Sequence, residues 1–300
     1  MVVPGPPLTF AGALLGWWVA GGRRDLPWRH TRDPWAVLVS EVMAQQTQVA
    51  RVAPAWRRFM LRFPTATDCA AAPLADVVTA WAGLGYNRRA VNLHRSAVAV
   101  TEHNGGRLPT TLDGLLALPG VGPYTARAVL AFSGQADVGV VDTNSGRVLA
   151  RAVAGRPLAP SDAQRMADSM VPPGEGWSWN SAVLDLGAAF CTSRSPRCGP
   201  CPVASACAWA NAGGPDPAPP PARQSRFDGS DRQGRGRLVA VLRAGPVPVA
   251  DAARAAGWPD DPVRAARAVA ALVADGLARV EAGRIELPPA GPPVAARRDS

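Results

Sequence analysis

Four cysteines crowd into the segment that closes the second third of the chain. Cys191, Cys198, Cys201 and Cys207 are separated by six, two and five residues. Four thiolates this close are costly to bury unless a metal binds them, and four cysteines satisfy either zinc or an iron–sulfur cluster. Structural zinc sites usually use shorter paired spacings, so the gaps of six and five residues favour the larger cofactor. The fifth cysteine, Cys69, stands alone and is predicted to be an inert core thiol.

Two carboxylates have sequence surroundings that suit acid–base chemistry. Glu41 lies at helical spacing over Val37 and Leu38, and a carboxylate on an apolar face is expected to have a raised pKa that suits a proton donor. Asp142 follows the apolar run Val138–Val141 and precedes a helical pattern, where the helix N-terminus would keep it ionised. A neutral acid and a persistent anion together suit the cleavage of a glycosidic bond. A partly exposed helix glutamate and a simple N-cap fit the same patterns.

A glycine turn, Leu118–Gly122, joins two helical patterns. Its two glycines permit a tight turn, and Pro123 suits the first position of the helix that follows. The backbone N–H groups of Gly120, Val121 and Gly122 would then face an anion. The turn also fits a plain helix connector, but the charge of the chain favours a DNA phosphate as its ligand.

The composition of the chain limits the reactions that it can catalyse and indicates the kind of partner that it binds. All 32 basic side chains are arginine, there is no lysine, and the formal net charge is +9. Chemistry that needs a lysine amine, such as a Schiff base or a phosphate-loop lysine, is therefore excluded. The surplus of cations favours a polyanionic partner. A GC-rich coding sequence would also account for the use of arginine alone.

A helical framework must position these residues. Residues 8–210 repeatedly place apolar residues at i, i+3 and i+4, which predicts a mainly α protein whose first helix, Phe10–Ala20, is capped by Thr9. That helix is too short to span a bilayer, so no membrane association is expected. Residues 213–225 read as a Pro/Gly linker and 226–287 as a small winged-helix-like domain. A disordered tail is predicted over 288–300.

Together these features resemble the helix-hairpin-helix DNA glycosylase superfamily and, within it, the adenine DNA glycosylases (the MutY family). The resemblance covers about residues 8–210, which we take as one domain, 1–212, that includes the cysteine loop 191–207. The strings that carry it, besides the glycine turn, Asp142 with Asn144 and the cysteine loop, are Leu26-Pro27-Trp28-Arg29, Ser40–Val49, Gly83–Tyr86 and Asn92–His94.

The resemblance implies a two-lobed helical fold with one [4Fe–4S] cluster bound by the four cysteines. It implies that the partner is double-stranded DNA with adenine mispaired with 8-oxoguanine or guanine. Glu41 matches the catalytic acid of the family and Asp142 its second carboxylate. Trp28 and Arg29 match residues that line the adenine pocket. The full set of substrate contacts that we carry over is Trp28, Arg29, Gln45, Gln46, Tyr86, Tyr124 and Asn144.

The same resemblance implies a monofunctional enzyme that leaves an abasic site. Tyr124 stands at the hairpin position where endonuclease III relatives carry a lysine. Residues 226–287 are too short for the Nudix-like domain of many family members. The alternatives are an endonuclease III-like or thymine-mismatch glycosylase, and a non-catalytic iron–sulfur winged-helix DNA-binding regulator. We expect a monomer in the cytoplasm, associated with the nucleoid.

Overall fold

The computed structural model describes residues 9–23, 25–220 and 226–288, and these ranges are mainly helical. No helix within them is long and apolar enough to cross a membrane. Residues 221–225 of the predicted linker and 289–300 of the predicted tail lie outside the described residues. The helices are α1 Phe10–Gly21, α2 Pro34–Ala44, α3 Val49–Arg62, α4 Ala66–Ala71, α5 Leu74–Ala80, α6 Arg88–Asn104, α7 Leu112–Leu116, α8 Pro123–Phe132, α9 Thr143–Val148, α10 Pro160–Met170, α11 Gly176–Ala189, α12 Ala208–Ala212, α13 Asp231–Leu242, α14 Ala252–Ala256 and α15 Pro262–Ala274.

Shorter elements complete the described part of the chain. A π-helical stretch, Leu149–Ala154, continues α9 directly, and three 3-10 turns occupy Pro27–His30, Ala204–Ala206 and Val249–Asp251. Three short strands form one antiparallel sheet in the order β1-β3-β2. The strands are β1 Val247–Pro248, β2 Arg279–Glu281 and β3 Arg284–Glu286.

The chain divides into two compact units, and both are discontinuous in sequence. The first unit contains Met1–Val37 and Pro123–Arg223, and the second contains Leu38–Gly122 and Gln224–Ser300. The linear division predicted from the sequence placed residues 1–212 together. The contacts instead group the C-terminal residues with the central helices, so α13 to α15 belong to the second unit.

The core of the first unit is built where α1 packs on α11. Thr9 caps α1 by accepting a hydrogen bond from the backbone N–H of Gly12 at 3.3 Å, as the sequence predicted. Trp18 and Trp179 are buried in this core, and their neighbours include residues of the cysteine segment. The N-terminal helix therefore supports the same core that the cysteine loop covers.

The second unit contains the central helices and the C-terminal module, residues 226–288. Phe59 of α3 packs edge-on against Trp81, with ring centroids 6.1 Å apart. In the C-terminal module, α13 begins at Asp231, where Ser230 caps it by accepting from the backbone N–H of Gln233. Within α13, Gly234 has a packing role, because a Cβ there would lie 2.0 Å from the Trp258 ring.

Candidate active site and cysteine loop

Glu41 lies on the third turn of α2 and is buried. The helix begins after Asp33, whose carboxylate accepts from the backbone N–H groups of Trp35 and Ala36 at 3.2 and 3.3 Å. Glu41 is 8% exposed, and the residues one turn earlier, Val37 and Leu38, are buried. The predicted burial of a carboxylate on an apolar helix face is confirmed. Glu41 is thus an acidic group with little access to bulk water.

Asp142 has a contrasting environment at the start of α9. Its Oδ1 atom accepts from the backbone N–H groups of Asn144 and Ser145 at 2.8 and 2.7 Å, and its Oδ2 atom accepts from the Asn144 side chain at 3.0 Å. The predicted N-cap is therefore confirmed. The side chain of Asp142 is thus fixed by three donors at the start of α9.

A chain of hydrogen bonds links Asp142 to the cysteine loop. Asn144 donates to Asp142 through its amide nitrogen and accepts through its amide oxygen from Arg147 Nη2 at 2.9 Å. The buried Arg147 also donates from Nε to the carbonyl of Cys191 at 2.6 Å. The side chain of Asn144, predicted as a substrate contact, is thus committed to orienting Asp142.

Trp28 and Arg29 lie in the 3-10 turn Pro27–His30, which precedes α2. The two terminal nitrogens of Arg29, Nη1 and Nη2, each donate to the carboxylate of Asp185 at 3.0 Å. Trp18 Nε1 donates to the same carboxylate at 3.0 Å. Asp185 lies on α11 and is buried. The predicted pocket residue Arg29 is therefore held in place by an ion pair that fixes the whole turn.

Gln46 and Tyr86 lie in two loops that a single buried arginine joins. Both have left-handed backbones, with φ of 53° and 46°, and such φ values are uncommon for residues other than glycine. Arg89 donates to the carbonyl of Gln45 at 2.7 Å and to that of Gly85 at 3.0 Å, the residues just before Gln46 and Tyr86. Burial lowers the pKa of the Arg89 guanidinium to about 10, which leaves it charged at neutral pH.

The glycine turn has the tight geometry that its sequence predicted. Gly120 adopts φ 75°, and a Cβ there would lie 2.6 Å from the side chain of Asn92 on α6. Ser96, also on α6, donates to the carbonyl of Pro119 at 2.9 Å. The turn formed by Gly120, Val121 and Gly122 is therefore packed firmly against α6. Just beyond it, Tyr124 packs against a small apolar cluster of the first unit.

All four cysteines of the predicted cluster site line one cavity. Burial raises the pKa of the Cys201 and Cys207 thiols, so their thiolates need a compensating cation. Within residues 9–23, 25–220 and 226–288, no three or more His, Cys, Asp or Glu side chains form a group that could hold a single metal ion. The donor chemistry nonetheless fits an iron–sulfur cluster, because Cys191, Cys198, Cys201 and Cys207 surround a common space.

Arg151, in the π-helical stretch, ties the cysteine loop to the start of the predicted linker. It is 1% exposed and donates to the carbonyls of Thr192 and Ser193 at 2.7 and 3.1 Å. It also donates from Nε to Asp216 at 2.8 Å, and this ion pair raises the pKa of Arg151 and lowers that of Asp216. The linker therefore begins as an anchored segment.

The structure places the two predicted catalytic carboxylates in different units. Glu41, Gln45, Gln46, Tyr86 and the glycine turn belong to the second unit, and Trp28, Arg29, Tyr124, Asp142, Asn144 and the four cysteines belong to the first. Sequence reasoning missed the residues that support them, namely Arg89, Arg147, Arg151 and Asp185. A usable signal existed for Arg89, which occupies the apolar stripe of α6 with Leu93 and Ala97.

Comparisons with known proteins agree with this geometry. The family described as "HhH-GPD superfamily base excision DNA repair protein" matches residues 39–173. The chain is 46% identical to the adenine DNA glycosylase of Mycolicibacterium smegmatis over 276 residues, which is 90% of this chain and 93% of that protein. It is 42% identical to the adenine DNA glycosylase of Homo sapiens over 213 residues, which is 66% of this chain and 39% of that protein.

A solved structure supports the same fold. A thermostable thymine-DNA glycosylase superposes with a TM-score of 0.64 at 30% identity, covering 68% of this chain and 95% of that one. The mainly helical helix-hairpin-helix fold is thus shared across glycosylases that remove different bases. The curated relatives, which match at higher identity, are adenine-specific by name. The chain therefore belongs to the adenine DNA glycosylases, DNA N-glycosylases that act in base excision repair.

Proposed function

We propose that this enzyme hydrolyses the N-glycosidic bond of adenine mispaired with 8-oxoguanine or guanine and leaves an abasic site. The observation that carries the proposal is the contrast between its two carboxylates. Glu41 is buried on an apolar helix face, and Asp142 is held by three hydrogen bonds from backbone and amide donors. A buried carboxyl group and a carboxylate held by three donors suit different roles, the first to donate a proton and the second to stabilise positive charge.

The mechanism assigns one step to each carboxylate. The adenine must leave the base stack, because its glycosidic bond is unreachable inside a duplex. Glu41 donates its proton to N7 of adenine, which makes the base a better leaving group. The sugar becomes oxocarbenium-like, and the fixed anion of Asp142 stabilises this charge. Glu41, now ionised, accepts a proton from the water that attacks the sugar.

The absence of lysine supports a monofunctional reaction. Strand cleavage by bifunctional glycosylases begins with a lysine amine that attacks the sugar, and this sequence contains no lysine. Tyr124 occupies the helix start where that amine would stand, and its ring packs against apolar neighbours. The side chains of this protein therefore allow attack on the sugar by water and not by a lysine amine.

A glycosylase assay with duplexes carrying A:8-oxoG, A:G, A:C or T:G tests this function. We expect strand breaks at A:8-oxoG and A:G only after alkali, because an abasic site is alkali-labile and an intact strand is not. Cleavage without alkali would contradict the monofunctional reaction. A preference for T:G would contradict the proposed substrate. Each pair is read against a fully matched duplex that carries the same label.

We further propose that Cys191, Cys198, Cys201 and Cys207 bind one [4Fe–4S] cluster. Support comes from the cavity that all four cysteines line. When bound, the cluster supplies four iron–thiolate bonds that fix residues 191–207. Arg151 donates to Cys191 Sγ at 3.6 Å and would stabilise the negative charge of that ligand. Cys207→Ser is expected to lose iron and visible thiolate–iron absorbance, whereas Cys69→Ser should retain both.

We also propose that the C-terminal module is a winged helix. Its elements follow the order α13, β1, α14, α15, β2 and β3, with β3 between the other two strands. Val247 and Val280 both pair with Ile285 in the sheet, and Ile285 is fully buried. We propose that the enzyme acts as a monomer at the nucleoid in the cytoplasm, where its DNA substrate lies.

A further inference from the structure

The second unit contains a large open groove of about 640 Å³. One side is formed by the loops of Gln46 and Tyr86, and the other by α13 and neighbouring residues of the C-terminal module. We propose that this groove binds the DNA strand opposite the excised adenine, with α13 supplying phosphate contacts and positioning Tyr86. This inference rests on the proposed function, because it assigns a second part of the same substrate.

The charge of the groove fits a nucleic-acid strand. Five arginines line it against a single carboxylate, that of Asp275. Asp275 is shared between Arg88, at 3.2 Å, and Arg235. A guanidinium has five N–H donors, so one shared carboxylate leaves donors on both arginines for phosphate oxygens. A groove lined in this way attracts a polyanion through every phosphate it neutralises.

Two aromatic side chains accompany the arginines. Tyr86 is 42% exposed and Phe227 is 57% exposed, and both line the groove. Exposed aromatic faces beside arginines are the combination that nucleic-acid grooves use, because bases stack on aromatic rings while cations follow the backbone. An acidic peptide would use the cations and leave both rings in water, so the groove fits a strand with bases better.

The groove is built from parts that are fixed to one another. Arg232 of α13 donates to the hydroxyl of Tyr86 at 3.2 Å. Arg243, which follows α13, donates to the carbonyl of Val78 at 3.1 Å and to the side chain of Asn87 at 3.0 Å. The C-terminal module is thus attached to the residue next to Tyr86. Its arginines are held beside the left-handed loops.

The backbone of these loops is strained in a way that marks function. Left-handed φ values at Gln46 and Tyr86 are unfavourable for residues with a Cβ and persist only where the surroundings enforce them. Arg89 enforces both, through the carbonyls of Gln45 and Gly85. The strain presents two polar side chains at the same edge of the groove.

The alternative DNA-binding face of the C-terminal module is poorly suited to DNA. In a winged helix, the third helix would be expected to enter a DNA groove. Here that helix is α15, and its exposed positions include Val263, 70% exposed, and Val273, with Arg267 as an exposed cation between them. A largely apolar face offers few phosphate contacts. The module therefore presents its DNA-binding cations from α13.

A salt titration of DNA affinity separates the two faces. The variants are R51Q and R232Q in the groove, R267Q on α15, and R254Q as a matched exposed control on α14. An arginine that neutralises one phosphate contributes about 0.9 to the slope of log affinity against log salt, so its removal makes that slope shallower. We expect a shallower slope in R51Q and R232Q and an unchanged slope in R267Q and R254Q. A shallower slope in R267Q alone, or in none of the variants, would overturn the proposal.

The binding measurement uses a fully paired duplex, so it is independent of adenine excision. If the enzyme failed to excise adenine opposite 8-oxoguanine, the proposed function would fail and the salt slopes would still test the groove. The positioning of Tyr86 is tested by Y86F, which keeps the ring and removes the partner of Arg232. We expect Y86F and R232Q to lower the ratio of excision at A:8-oxoG to excision at A:C several-fold. An unchanged ratio in both would refute the positioning role.

Discussion

The two units hold the two predicted catalytic carboxylates in different surroundings. In the second unit, Glu41 is buried beside Leu38, and Arg89 joins the loops that follow α2 and precede α6. In the first unit, Asp142 is surrounded by donors, and Arg147 connects its partner Asn144 to the cysteine segment. One unit withholds water from a carboxylate, and the other supplies hydrogen bonds to it.

Both units use a buried arginine in the same way, in a chain without lysine. Arg89 and Arg147 are both buried, and burial lowers the pKa of both. Each donates mainly to carbonyl oxygens rather than to a carboxylate. A planar guanidinium with several donors can satisfy carbonyls from separate loops at once. The proposed contacts to DNA come instead from exposed arginines.

The largest expected effect comes from removing the two carboxylates in turn. Glu41→Gln should slow adenine excision by about 10²- to 10⁴-fold, because the general acid is lost. Asp142→Asn should also slow it strongly while leaving stability nearly unchanged, because asparagine is a good N-cap. Single-turnover excision rates measure both effects.

Matched controls exist for each substitution. Glu102→Gln changes an exposed glutamate of α6, and Asp261→Asn changes the N-cap of α15, which accepts from Arg264. Neither should alter the excision rate. If Asp142→Asn behaved like Asp261→Asn, the anion would have only a capping role and the contrast between the two carboxylates would collapse.

A smaller effect is expected from the two buried arginines. Arg89→Met should lower the free energy of unfolding by about 3 kcal/mol, because several buried carbonyls lose their donor. Arg147→Met should cost about 2 kcal/mol and also weaken retention of iron, because it releases the carbonyl of Cys191. Urea unfolding and iron content measure the two outcomes.

The controls here are exposed arginines on the surface of each unit. Arg88→Met, on the residue beside Arg89, and Arg165→Met, on α10, should change stability little, because their side chains are 65% and 73% exposed. Loss of iron in Arg89→Met but not in Arg147→Met would reverse the assignment of the two arginines.

The features of the fold and site that could be predicted from the sequence have causes close by in the sequence. The burial of Glu41 followed from its spacing to Val37 and Leu38, and the cap at Asp142 followed from the helical pattern after it. Cys69, predicted as an inert core thiol, is buried, and burial raises its pKa to about 12. These features depend on residues within one or two turns of each other.

The features that could not be predicted from the sequence depend on contacts between residues that are distant in sequence. Arg29 meets Asp185 across 156 positions, and no periodicity predicts such a pair. The docking of Asp216 on Arg151 spans 65 positions and turned part of a predicted linker into an anchored segment. The packing of α13 depended on Trp258, whose ring lies where a Cβ of Gly234 would be. Tertiary packing decided each of these cases.

The smallest expected effect concerns the buried histidine of the second unit. His94 on α6 lies 3.0 Å from the carbonyl of Ala72, and burial lowers its pKa below the ordinary value of 6.5. The unfolded chain therefore binds a proton more readily than the folded one as the pH falls below 6.5. Stability should be full above that pH and should decline as the pH falls toward the pKa of the folded state.

His94→Gln should flatten this decline, because glutamine keeps a donor for the Ala72 carbonyl and does not titrate. His103→Gln, an exposed change on the same helix, should leave the pH dependence as in the parent. Urea unfolding between about pH 5 and 8 measures all three, the range in which histidine titrates. If the parent and His94→Gln declined in parallel, the acid sensitivity would come from the carboxylates of both units. If the stability of His94→Gln alone did not change with pH, acid would destabilise first the unit that contains Glu41. The reason is that, among its described residues, the first unit has only the exposed His30 as a histidine.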